Sequence, residues 1–156
     1  PALFQVTEQL AVQEHETRVS GVLADVRDRD RITALFTTFA PDIVIHAAAL
    51  KHVPYLEADW SEGVKTNIFG SVNVTDAAIA ARAKIFVLIS TDKAIEPVSM
   101  LGATKRFAEM YAQSRDAEFV GAGRGMRLVA VRFGNVLGSV GSVVPKFKEQ
   151  IARGGP

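Results

Sequence analysis

The sequence contains no cysteine in 156 residues. That excludes a disulfide framework and thiolate chemistry, and it fits a reducing compartment. Net charge is also scarce: 18 Lys and Arg against 17 Asp and Glu leave +1. Nucleic acid or an anionic membrane surface would therefore find no charge excess to bind, and neither is expected as a partner. No apolar run approaches the roughly 20 residues that span a bilayer. No secretory leader is visible in the first residues. The expectation is a cytoplasmic domain, with any membrane association left to segments outside this chain. His15, His46 and His52 have no carboxylate or cysteine at ligand spacing, so no metal is predicted. Internal repeats, linkers and low-complexity stretches are absent as well.

What is present is enough for one domain with a core: 48% hydrophobic and 22% charged residues. The chain is organised around residues 84–105. The apolar run 85–89 (Ile-Phe-Val-Leu-Ile) reads as a strand buried on both faces. It ends in Ser90, Thr91, Asp92 and Lys93, two hydroxyls, an acid and an amine side by side. A loop with Pro97 follows, then a helix from Ser99 to about Arg115 that carries Lys105 in its second turn. In open α/β sheets ligands bind beyond the carboxyl ends of the strands, so these polar residues are placed for chemistry.

The remaining chain alternates the same way. Residues 3–13 have loose helical spacing, and 19–23 reads as a short strand ending in Ala24-Asp25-Val26-Arg27-Asp28. Asp28 can cap a helix running to about Phe39. Residues 43–46 form a buried strand that runs into Ala47, Ala48 and Ala49. A helical stretch spans about 54–82, broken near Trp60 and Ser61. A strand over 127–132 follows a glycine-rich turn, and 143–153 reads as a last helix. Strands alternating with helices predict an α/β fold: a partial Rossmann-like, doubly wound parallel sheet with helices on both faces.

One signature is missing. A dinucleotide-binding sheet opens with a strand, a G-x-G-x-x-G turn and a helix, and this sequence has no such motif. Gly121, Gly123 and Gly125 have the wrong spacing and precede a strand, whereas a phosphate loop needs a helix N-terminus behind it. The chain therefore reads from the third strand onward. Residues 1–156 are expected to be a single NAD(P)-binding Rossmann-like domain that lacks its first two strands and most of a C-terminal substrate domain. Either 19–23 moves in to pair with 43–46, or a second chain fills the gap. The fragment alone is expected to bind NADP poorly and to be inactive.

Six motifs then occur in order: Asp25-Val26-Arg27-Asp28; His46-Ala-Ala-Ala-Leu-Lys51-His52-Val53-Pro54; Thr66-Asn67-Ile-Phe-Gly70; Ser90-Thr91-Asp92-Lys93-Ala94; Gly102-Ala-Thr-Lys105-Arg106; and Arg132-Phe-Gly-Asn135-Val-Leu-Gly138-Ser139. Together, over roughly 20–156, they resemble the extended short-chain dehydrogenase/reductase superfamily. More narrowly they are similar to the bacterial UDP-N-acetylglucosamine 4,6-dehydratases of capsular polysaccharide biosynthesis. The resemblance implies a bound NADP or NAD, a UDP-sugar substrate and a homo-oligomer paired through the helices near 61–82 and 99–115.

It also implies roles. The reaction is an internal redox elimination: hydride leaves sugar C4, water is lost across C5 and C6, and hydride returns to C6. Thr91 hydrogen-bonds the 4-hydroxyl, Asp92 supplies a proton to the departing 6-hydroxyl, and Lys93 takes the C5 proton. Taken as a dipeptide alone, Asp92 and Lys93 read equally as a loop ion pair. Lys105 matches the lysine of the superfamily's Tyr-x-x-x-Lys pair, which binds the nicotinamide ribose. The tyrosine position holds Leu101, where many of these dehydratases carry methionine. Two candidates remain for the 4-hydroxyl proton, Thr91 acting with a water and Lys105 itself. The resemblance further places Asp25 and Val26 at the adenine, Ala47, Ala48 and Ala49 along the cofactor, Lys51 at cofactor or substrate, Asn67 among the cofactor residues as orienter of the active-site loop, and Asn135 at the substrate. An epimerase on the same scaffold is the alternative. Such enzymes usually keep the tyrosine and lack the Asp-Lys pair.

Overall fold

The computed structural model describes residues 2–12, 19–123, 125–136 and 143–155. In chain order the elements are α1 (Ala2–Val12), α2 (Arg29–Phe39), β1 (Ile43–His46), α3 (Val53–Ala58), α4 (Trp60–Gly63), α5 (Gly70–Ala80), β2 (Ile85–Thr91), α6 (Met100–Gly121), β3 (Arg127–Phe133) and α7 (Val143–Ala152). A π-type stretch, Val64–Phe69, joins α4 to α5, and one 3-10 turn, Asp92–Ala94, follows β2.

The strands pair in parallel in the order β1-β2-β3, with Ile43 opposite Ile85 and Ile85 opposite Arg127. Helices lie on both sides of the sheet, the α/β Rossmann-like arrangement. Alternation along the strands decides what is buried. Phe86, Leu88 and Leu128 are at most 3% exposed and pack with Val74, Ala77 and Ala78 of α5 and Ala108 and Ala112 of α6. The small helical residues let both helices approach the strands closely. The opposite face stays more open: Ile43, Ile45, Val131 and Phe133 are all exposed.

Local chemistry sets the helix ends. Asp28 caps α2, its carboxylate accepting from the Arg31 N–H at 2.9 Å. Ser99 caps α6 by accepting from the Gly102 N–H, and Glu57 of α3 accepts from the Met100 N–H at 2.7 Å. The helix then runs past the predicted end near Arg115 to Gly121, because Phe119 is drawn into the core. The predicted break near Trp60 falls at Asp59, whose backbone leaves the helical region (φ −130°, ψ 61°). Two glycines mark close approaches. A methyl on Gly70 would lie 2.6 Å from Val26 Cγ2, and one on Gly102 would lie 2.3 Å from the Lys93 carbonyl oxygen.

The strand expected over 19–23 is not formed. That segment is irregular, and among the described residues β1 pairs within the sheet with β2 alone. A strand without a ladder partner leaves its backbone groups to other contacts. Here the segment lies against α1, where a methyl on Gly21 would meet Thr7 Oγ1 at 2.9 Å. Direct pairing of 19–23 with 43–46, one of the two expected repairs, is therefore not seen.

Candidate active site

The carboxyl ends of the three strands open into one cleft of about 500 Å³. Ala47, Ala49 and Lys51 reach it from the loop after β1, and Thr91 and Lys93 from the end of β2. Leu101 and Lys105 reach it from α6, and Asn135 from the segment after β3. Sequence positions as far apart as Ala47 and Val144 are brought together here. Ala48, Asp25, Val26, Asn67 and Asp92 do not line the cleft.

Asp92 sits just beside it. Thr91 Oγ1 donates to Asp92 Oδ1 at 2.8 Å, and Lys93 Nζ donates to the same oxygen at 3.0 Å. The hydrogen bond from Lys93, then that from Thr91, holds the Asp92 carboxyl below the usual carboxylate range. In this arrangement the acid is ionised, and an ion pair and a proton-transfer pair are the same contact. A role as proton donor needs a change of surroundings that raises it.

Lys105 is 6% exposed and donates to the Ile89 carbonyl at 2.7 Å. Burial lowers the pKa of its amine, and the nearby Glu109 charge partly opposes that. His46 is 3% exposed, and burial, followed by the Lys105 charge, pushes its pKa down to about 4. Its Nε2 lies 3.0 Å from Ser71 Oγ. The Ser71 proton goes to the Asn67 carbonyl at 2.7 Å, so His46 Nε2 is assigned as the donor. His46 is thus the hydrogen-bonded core histidine that its strand position predicts.

Asn67 lies in the π-type stretch, fully buried, and faces the loop after β1. Its Oδ1 accepts from the Leu50 N–H at 2.8 Å, and its Nδ2 donates to the Leu50 carbonyl at 3.0 Å and to Thr104 Oγ1 at 3.1 Å. That is the geometry of a loop anchor, with the amide turned away from the cleft. Asp25 is engaged by Arg27, whose Nη2 lies 2.6 Å from Oδ2, and Arg27 also reaches Glu62 at 3.0 Å. The Arg27 side chain, then its backbone N–H, holds the Asp25 carboxyl down at about 2. Val26 docks on Gly70, and its carbonyl accepts from Asn73 Nδ2 at 3.0 Å.

The sequence reading missed Glu109. It is 0% exposed and accepts from Ser90, Arg106 and Arg132. Burial pushes its pKa up, but the bonds from Arg132, Ser90 and Arg106 outweigh this and hold it below the usual range. The available signal was its place four residues after Lys105, on the same face of α6. Gly138, Ser139 and His15 lie outside the described residues. Among the described residues, no cluster of three or more His, Asp or Glu could hold a metal, and no helix is long and apolar enough to cross a membrane.

Residues 2–156 match the family described as polysaccharide biosynthesis protein. The chain belongs to that family. It is 52% identical over 134 residues to the probable polysaccharide biosynthesis protein EpsC of Bacillus subtilis, covering 86% of this chain and 22% of that protein. It is 43% identical over 132 residues to an inverting UDP-N-acetylglucosamine 4,6-dehydratase of Campylobacter jejuni, covering 85% of this chain and 38% of that one. A UDP-glucose 4-epimerase of Rickettsia typhi is 35% identical over 147 residues, 94% of this chain and 42% of the epimerase. Among solved structures, Pen from Bacillus thuringiensis superposes with a TM-score of 0.84 at 37% identity, over 99% of this chain and 46% of that one. The Bordetella bronchiseptica enzyme WbmH, solved with NAD+, shares the fold (TM-score 0.73, 23% identity, 92% of this chain, 51% of that one). The matches place the chain in the short-chain dehydrogenase/reductase superfamily. The chain spans less than half the length of the three relatives and of Pen, and about half that of WbmH.

Proposed function

We propose that this chain is the later part of the NAD(P)-binding domain of a nucleotide-sugar 4,6-dehydratase in polysaccharide biosynthesis. Its substrate is a UDP-N-acetylhexosamine, which leaves as the 4-keto-6-deoxy sugar. The observation that carries the reading is the Thr91-Asp92-Lys93 cluster, joined at one carboxylate oxygen, at the mouth of the cleft that Leu101 and Lys105 line. An epimerase needs no group to protonate a departing hydroxyl, so the cluster and Leu101 favour the dehydratase.

The cleft fits the nicotinamide end of NADP or NAD. Lys105 presents a buried amine there, and Ala47 and Ala49 leave room for close approach. When bound, the cofactor supplies reversible oxidation at sugar C4. Lys105 holds the nicotinamide ribose, and Lys51 and Asn135 border the space left for the sugar nucleotide. Thr91 hydrogen-bonds the 4-hydroxyl, while Lys93 in its neutral form takes the C5 proton and protonated Asp92 gives its proton to the leaving hydroxyl. After that step Asp92 is a carboxylate and Lys93 an ammonium, which is the ion pair present in the structure. The Lys93 ammonium returns its proton to C5 as C6 is reduced, and the 4-hydroxyl proton, taken up at Thr91 with a water or at Lys105, makes up the one that Asp92 gave.

With no phosphate-binding turn in the sequence, the chain alone is expected to be inactive. The test therefore uses the full-length protein, incubated with UDP-N-acetylglucosamine and NADP or NAD. A product lighter by one water and carrying a 4-keto group supports the reading. A 4-epimer of unchanged mass means epimerase, and recovery of unchanged substrate means neither.

A further inference from the structure

We propose that Glu109 is a positioning residue that pins three walls of the cleft to one another. It sits on α6, one turn beyond Lys105, and is 0% exposed. Oε1 accepts from Ser90 Oγ at 2.5 Å and from Arg132 Nε at 2.7 Å. Oε2 accepts from Arg132 Nη2 at 2.5 Å and from Arg106 Nη1 at 3.2 Å. One carboxylate thus joins β2, β3 and α6.

The place of this junction in the sheet argues for positioning over simple stability. Ser90 and Arg132 are opposite one another in the β2–β3 register. Two preceding rungs on the same side of the sheet, Phe86 with Leu128 and Leu88 with Ala130, are apolar. On that side the side-chain class changes only at the rung that meets the cleft, where Ser90 itself is a lining residue. A buried ion pair is weak evidence for stability, since well-packed apolar residues often do as well or better. What charge and hydrogen bonds add is direction: the bidentate Arg132 fork fixes the relative angle of strand and helix in a way that apolar contact does not. The residues just past this rung, Thr91 on β2 and Phe133 on β3, line the cleft. The rung therefore sets the take-off of Thr91-Asp92-Lys93 on one strand and of Gly134-Asn135 on the other. Lys105 is held to the same frame through α6.

The kinetic part of this inference rests on the dehydratase reading, so the test has a second readout that does not. Glu109→Leu and the double variant Glu109→Leu/Arg132→Met are made in the full-length protein, the second removing anion and cation together. Amide hydrogen exchange over 90–94 and 133–136 is compared with exchange over the core strand segment 85–88. Positioning predicts a rise of about tenfold or more at 90–94 and 133–136, with 85–88 unchanged, in whichever of the two variants keeps the wild-type circular dichroism. With UDP-N-acetylglucosamine it predicts kcat lower by about tenfold or more and KM within about twofold. Uniform exchange across all segments, or wild-type exchange at the loops, overturns the inference. A wild-type enzyme inactive on every UDP-sugar overturns the dehydratase reading instead and leaves the exchange comparison to decide on Glu109.

Discussion

Asn67 closes a two-bond ring on the backbone of Leu50, accepting from its N–H and donating to its carbonyl. A side-chain amide there replaces a strand neighbour for a loop that has left the sheet. The loop it holds carries Ala47, Ala49 and Lys51 to the cleft. Replacing Asn67 with leucine keeps the branched shape and leaves the Leu50 N–H and carbonyl without their partner, while Thr104 Oγ1 loses one donor and still donates to the Met100 and Leu101 carbonyls. The expected cost is about 1–3 kcal/mol in urea unfolding, the usual penalty for partners left without a bond. A loss under about 0.5 kcal/mol would mean that water serves Leu50 equally well.

His46 predicts a pH dependence. Its pKa falls from 6.5 when unfolded to about 4 when folded, through burial first and the Lys105 charge second. The unfolded state therefore binds the proton more readily. The stability tied to neutral His46 is fully present above pH 6.5 and is lost as pH falls from there toward 4. The size is on the order of 3 kcal/mol. Urea unfolding from pH 7.5 to 4 should show this limb, and His46→Gln should flatten it. An unchanged slope in the variant would assign the limb to other groups.

Much of this was legible in the sequence, for identifiable reasons. The β2 strand and its polar end were visible because the run is continuously apolar and stops abruptly at Ser90, although burial on both faces is not met: only Phe86, Leu88 and Ser90 are buried. Asp28 was visible as a cap, and Ser99 as a helix start, because capping is local. The strand at 19–23 was misread because strand formation depends on a neighbour, which local pattern does not supply. Glu109 was missed because its partners Ser90 and Arg132 lie 19 and 23 residues away. A lone glutamate on a helix ordinarily belongs to a solvated face. The turning of Asn67 toward Leu50 follows from a widened helical stretch that no periodicity announced.

Gly102 tests how tightly α6 is seated. An alanine methyl there would lie 2.3 Å from the Lys93 carbonyl oxygen and 3.2 Å from Pro97 Cβ. Backbone cannot yield as a side-chain tip can, so the helix or the Asp92–Ala94 turn must shift. Gly102→Ala is expected to destabilise by about 1–3 kcal/mol, the range for overpacking, although alanine favours helix by up to about 1 kcal/mol. A stabilised variant in thermal melts would show that the turn moves freely.

Phe69, Phe107 and Met110 are 59, 48 and 55% exposed, on a π-type stretch and a helix that contact each other. Apolar side chains grouped in this way favour burial against another surface. The full-length protein is expected to be a dimer through this side. Sedimentation equilibrium should give twice the chain mass, and Phe107→Glu with Met110→Glu should bring it to one. A wild-type monomer at high concentration would remove the dimer.

Asp92 and Lys93 allow stability and chemistry to be separated. Their side chains are 50 and 40% exposed, so the pair is screened by water and salt. As a structural ion pair it contributes little, and Asp92→Asn or Lys93→Ala should leave thermal unfolding unchanged within error. As acid and base each should cost about 10²-fold or more in turnover of the full-length enzyme. Asn at 92 keeps an acceptor for Thr91 and loses the ionisable carboxyl, so it tests proton transfer more narrowly than alanine would. The two variants should also fail at the same stage: if oxidation proceeds and elimination stops, a 4-keto sugar with water retained forms together with one equivalent of reduced cofactor, and turnover ends there. Near-wild-type turnover in both, with unchanged melting, would return Asp92 and Lys93 to a surface ion pair and move the search for the acid to the segment around Asn135.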